Sequence, residues 1–155
     1  MSATADEKLE TANWNLEPLV DDRGPEAVEA MLNESRARGE AFAERYRGRV
    51  DQLDSSELAE AMRELGAIHD LAGRAGSYAM LSFSLDTTDP ERGARMQKAS
   101  ELAAGIQTQL LFFDLEWNEV PAEHADRLLE AEELGFCAHH LRTLRRYRDH
   151  QLSEP

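Results

Sequence analysis

The stretch Leu85–Val120, LDTTDPERGARMQKASELAAGIQTQLLFFDLEWNEV, decides the fold. Asp89 followed by Pro90 is a helix start. The aspartate can cap the first amides, and proline suits a position whose N–H has no intrahelical partner. From there Met96, Ala99, Ala103, Ile106, Leu110, Phe113 and Trp117 recur at alternating steps of three and four, one face of a helix. Leu102, Leu111, Phe112 and Leu115 widen that face beyond a two-stranded seam, so the helix is expected to be covered from more than one side.

Upstream, Asp54 followed three residues later by Glu57 has the spacing of a capping box. Leu58, Met62, Leu65, His69, Ala72, Gly76, Ala79 and Phe83 then form an expected stripe, with Ile68 beside it. Gly66, Gly73 and Gly76 cost this helix about 1 kcal/mol each relative to alanine. The expected return is close approach of another helix backbone. Earlier still, Pro25 opens a helix carrying Val28, Met31, Leu32, Phe42, Tyr46 and Val50, with Gly39 as its weak point. Downstream, a shorter helix starts at Val120–Pro121, carries Ala125, Leu128 and Leu129, and is expected to end near Leu134–Gly135, with Gly135 left-handed. A last helix spans about Phe136 to His150 with Leu141 and Leu144 inward. Arg142, Arg145, Arg146 and Arg148 would answer the negative end of its dipole.

No segment reads as a β-strand. The expectation is an all-α, antiparallel helical bundle of about five helices, with a long central helical hairpin whose arms are each roughly 40 to 45 Å long. Residues 1–13 are expected to be a disordered tail. Residues 14–24, interrupted by Pro18 and Gly24, read as an irregular arm docked by Trp14, Leu16 and Leu19. Residues 25–155 form the helical domain.

The chain has 155 residues and a net charge of −14, and its fifteen arginines stand against two lysines, Lys8 and Lys98. So acidic a surface argues against nucleic acid and anionic lipid as partners. No apolar run approaches the roughly 20 residues that span a bilayer. The polar, acidic Met1–Glu10 is neither a secretory nor a mitochondrial signal, and a cytoplasmic location is expected. Cys137 is the single cysteine; between Phe136 and Ala138 it reads as a packed thiol.

The residues that would carry catalysis are missing. His69, His124, His139, His140 and His150 occur in no His-Glu-x-x-His, and no helix holds the Glu-x-x-His pairs of a di-iron bundle. No phosphate-binding glycine loop is present. Ser77, Ser82 and Ser84 lack a Gly-x-Ser-x-Gly elbow. The acid pairs Asp21–Asp22 and Glu132–Glu133 read as solvated faces. Glu116, between Phe113 and Trp117, is expected to be partly buried and paired, with an arginine of the last helix as its natural partner. No residue is assigned a catalytic, cofactor-binding or metal-binding role.

Four segments resemble the N-terminal helical region of oligoendopeptidase F, of the thimet-type zinc oligopeptidases. They are RAGSYAMLSFSLDTTDPERGARMQ (Arg74–Gln97), WNLEPL (Trp14–Leu19), LLFFDLEWNEV (Leu110–Val120) and HHLRTLRRYRDHQLSE (His139–Glu154). The resemblance runs from Trp14 onward. It implies an almost wholly helical protein whose zinc and short-peptide chemistry lie in a separate C-terminal catalytic domain. Zinc is expected there and not in this chain, and the 155 residues should serve as a channel wall without activity of their own. Leu152 before Ser153 reads as the start of a further helix, so a longer protein is expected. An apolar flank on the third and fifth helices, through Phe112, Leu115 and Tyr147, should then meet the catalytic domain, or pair in a homodimer. The alternative is a stand-alone helical scaffold or interaction module.

Overall fold

The computed structural model describes residues 14–146 and 148. Their helices are α1 (Ala27–Tyr46), α2 (Ser55–Leu85), α3 (Pro90–Glu119), α4 (Ala122–Leu128) and α5 (Ala138–Arg146). Short 3-10 turns cover Glu17–Val20, Val50–Gln52 and Glu132–Leu134, and no strand occurs among the described residues. The all-α bundle around a long α2–α3 hairpin is therefore observed. At 31 and 30 residues, each arm of the hairpin is about 45 Å long.

Both hairpin arms start where the sequence places them. Asp54 accepts from the Glu57 amide at 2.8 Å while the Glu57 carboxylate accepts from the Asp54 amide at 3.1 Å, a closed capping box. Asp89 accepts from the amides of Glu91 and Arg92. Arg92 then donates to the Ser82 carbonyl at 3.0 Å, tying the end of α2 to the start of α3.

α1, α2 and α3 pack against one another as a triangle. Its centre is aromatic. Phe42 lies 4.7 Å from Tyr46 and 5.4 Å from Phe113 between ring centroids. Trp117, fully buried, donates its indole N–H to the Leu141 carbonyl at 3.0 Å and so fixes α5 on the end of α3.

Three expectations about packing fail for physical reasons. First, the inward stripe of α2 departs from the expected register after Leu65: Ile68, Leu71, Ala75, Tyr78 and Ser82 are buried, Ala79 is the one expected position after Leu65 that is buried with them, and His69 is exposed. Burying Ile68 in place of its polar neighbour avoids the cost of desolvating an imidazole. Second, an added Cβ at Gly66, Gly73 or Gly76 would meet nothing within 4 Å, so no helix among the described residues uses their smallness. The close approach is at Gly39, where a Cβ would lie 3.1 Å from Gln109 Oε1. Third, α4 stops at Leu128 and Gly135 is right-handed, with φ −53°. In one straight helix Leu129 and Leu134 would point about 140° apart. The break after Leu129 lets both reach the core.

The arm is held differently from expectation. Leu16, Leu19 and Val20 pack on the core, but Trp14 stays 67% exposed. The clasp is polar: Tyr78 donates to Glu17 at 3.1 Å, and Arg74 donates to Asp21 at 2.7 Å. Arg74 holds the Asp21 carboxyl below its ordinary range. Asp21 and Asp22 both adopt left-handed backbone, φ 55° and 56°, where the chain turns toward Gly24. The expected tail at 1–13, His150, Tyr147 and the Leu152–Ser153 helix start lie outside the described residues.

Candidate functional site

The segment from Glu116 onward closes the end of the triangle. Gly48 follows α1 in a left-handed turn, φ 75°. The Glu116 carboxylate accepts from the Gly48 amide at 2.8 and 2.9 Å, and from the Val50 amide at 3.4 Å. Glu116 is thus half-buried and paired, as its neighbours imply, but its partners are backbone amides and not an arginine of α5.

The arginines of α5 serve other helices. Arg145 donates to the carbonyls of Trp117 and Val120, both at 2.8 Å, satisfying the exposed end of α3. Its guanidinium also lies 5.5 Å from the Trp117 ring centroid. Burial, the first cause, and the nearby Arg148 charge draw its pKa downward. Arg142 donates to the Leu129 carbonyl after α4. Phe112, expected on an open flank, is 5% exposed, packed against Phe42 and covered by the Arg47 guanidinium at 4.4 Å. Leu115 is half-buried. Among the described residues the exposed large apolar side chains are Trp14, Met80, Leu85, Leu111 and Phe136.

Cys137 is buried, its thiol 3.5 Å from the Leu134 carbonyl oxygen, and burial pushes its pKa up. A thiol held protonated this way is a poor nucleophile. Ser82 is buried, Ser77 half-buried, and Ser84 donates to the Met80 carbonyl within its own helix. Glu133 accepts from Ser55. Among the described residues no group of three His, Cys, Asp or Glu side chains is placed to hold a metal ion.

The acid overlooked in the sequence is Asp114. It lies in the same apolar run as Glu116, LLFFDLEW, and that setting is its only sequence signal. It is half-buried on α3, and burial raises its pKa, opposed by the charges of His140 on α5 and His69 on α2. It lines a concavity of about 280 Å³ with Leu65, His69, Gln107, Leu110 and Leu111. A second concavity of about 330 Å³ shares His69 and Gln107 with it and runs along Gly73 and Gly76 toward Met80. Together they form an open groove on the face of α2 and α3 away from α1.

Residues 116–155 match the family model described as Oligopeptidase F. The matched segment begins at Glu116 and takes in Trp117, Arg142 and Arg145, the contacts that close the bundle. No curated protein and no solved structure matches the chain. The match supports an N-terminal region of the oligopeptidase F family in this chain.

Proposed function

We propose that this chain is the N-terminal helical part of a metallo-oligopeptidase that hydrolyses short peptides, that it forms a wall of the substrate channel, and that it has no catalytic group of its own. The observation that carries the reading is the family match over residues 116–155. The all-α bundle is consistent with it. The sequence holds no His-Glu-x-x-His pair of ligands with its general base, and the described residues offer no set of three metal ligands. On this reading zinc belongs to a separate catalytic domain, and no hydrolytic step is assigned to this chain. A cytoplasmic location is part of the same reading. Among the described residues, no helix is long and apolar enough to cross a membrane.

The test is an assay of the pure 155-residue chain with a quenched fluorescent peptide and added zinc. The expected result is neither cleavage nor stoichiometric zinc uptake, and robust cleavage by this chain overturns the non-catalytic reading. The coding DNA beyond Pro155 separates the reading from its rival. An open frame encoding His-Glu-x-x-His supports the peptidase part, and a stop codon supports a stand-alone helical module.

A further inference from the structure

A cleft of about 520 Å³ lies near the starts of α1 and α3, on the outer side of their contact. Its floor is apolar. Val28 and Leu32 of α1 and Ala99 of α3 are buried there, and Leu102 is partly buried. Its two walls carry opposite charges: Glu26 and Glu29 on α1, Arg95 and Lys98 on α3. The members of each pair stand three residues apart, so they share one side of their helix. The walls meet at one point, where Lys98 Nζ lies 3.6 Å from Glu29 Oε1. That is long for a hydrogen bond, and both side chains are more than half exposed, so the pair holds the walls together only weakly. Among the described residues Glu26 and Arg95 form no ion pair.

This lining describes its ligand. An acidic wall and a basic wall over an apolar floor suit a molecule that carries a cation and an anion close together on an apolar body. A purely cationic or purely anionic ligand would be repelled by one wall. The short gap between Lys98 and Glu29 limits the head group to one in which the two charges sit on neighbouring atoms, as the ammonium and carboxylate of an α-amino acid do. We propose that the cleft binds a free α-amino acid with a large apolar side chain. Glu26 and Glu29 receive its ammonium, Arg95 and Lys98 receive its carboxylate, and its side chain lies on Val28, Leu32 and Leu102. The volume falls within the range of small-molecule sites. The proposal does not depend on the peptidase reading and stands or falls separately.

The experiment titrates the full chain with L-leucine and L-phenylalanine and follows amide chemical shifts by NMR. Saturable shifts around Glu29, Arg95 and Lys98 are expected at about millimolar concentration. N-acetyl-leucine lacks the ammonium, and leucinamide lacks the carboxylate. Each should bind at least about tenfold more weakly than leucine, the loss of one charge-assisted contact. Glu29→Gln and Arg95→Gln should weaken leucine binding by a similar factor with the thermal melt little changed; the two leucine analogues make the same test on the unaltered chain. Absence of a saturable shift with either amino acid overturns the proposal and leaves Lys98–Glu29 a plain ion pair between helices. Equal binding of leucine and either analogue also overturns it, because the apolar floor alone would then be recognised. Shifts scattered over the whole surface overturn it as well.

Discussion

The α2–α3 hairpin has two faces, and glycine marks the difference between them. On the face toward α1, Gly39 of α1 sits where an added Cβ would meet Gln109 of α3 at 3.1 Å. On the opposite face, Gly73 and Gly76 look onto open space. The first glycine is explained inside the chain: it lets α1 and α3 come together around Phe42 and Phe113. The others are not. Each carries the helix cost of glycine and returns no contact within these residues. One face is finished packing, and the other is a groove with a half-buried acid at one end.

The largest effect expected on the finished face is at Trp117. Its ring is fully buried, its N–H holds α5 through the Leu141 carbonyl, and Arg145 stacks near it. Trp117→Ala should cost about 3 to 5 kcal/mol, since a large cavity and an unpaired carbonyl are left together. Chemical denaturation measures it. A loss below about 1 kcal/mol would mean that α5 and the end of α3 are not one packed unit.

The glycines test the comparison directly. Gly39→Leu drives a branched side chain into Gln109 and Leu110 and should destabilise by about 1 to 3 kcal/mol. Gly73→Ala, in an open helix position, should instead stabilise by up to about 1 kcal/mol. Thermal melts of the two variants should therefore move in opposite directions. Equal and unfavourable shifts would show that the α2–α3 groove is closed in solution.

The same contrast sets how much the sequence discloses. The α3 stripe from Ala99 to Trp117 is legible because a covered helix face repeats with the helix period, and both hairpin starts are legible because Asp54 and Asp89 act within three residues. Position 69 is misread because two adjacent residues fit the stripe, and only the placement of α1 and the arm against α2 chooses Ile68. Glu116 is recognised as a paired acid, but its partners are the amides of Gly48 and Val50. A backbone amide has no side-chain signature, and these lie 68 and 66 residues away. Arg145 and Arg142 likewise bind carbonyls, which every residue possesses. Trp14 is misjudged by its size: the arm is clipped by Glu17 and Asp21, and the indole is left outside. Asp114 is missed because an acid two residues before Glu116, on nearly the opposite side of the helix, looks like ordinary helix surface until α2 and α5 are set around it.

The smallest effect expected belongs to Asp114, and its sign matters more than its size. Burial raises the carboxyl pKa above its ordinary value of 3.8. The folded chain therefore holds this proton more tightly than the unfolded chain does. Stability from this group is complete below pH 3.8 and is lost as pH rises through the raised value. Asparagine carries no charge to desolvate, so Asp114→Asn should be more stable than the parent at pH 7. The advantage should shrink toward zero as pH falls below the carboxylate range. The side chain is partly solvated and faces two histidines, so the gain should stay below about 1 kcal/mol. Paired denaturation curves at pH 7 and pH 3.5 measure it. If Asp114→Asn is instead the less stable protein at pH 7, the carboxylate already has a partner within the chain. The open face would then be as complete as the one that holds Gly39.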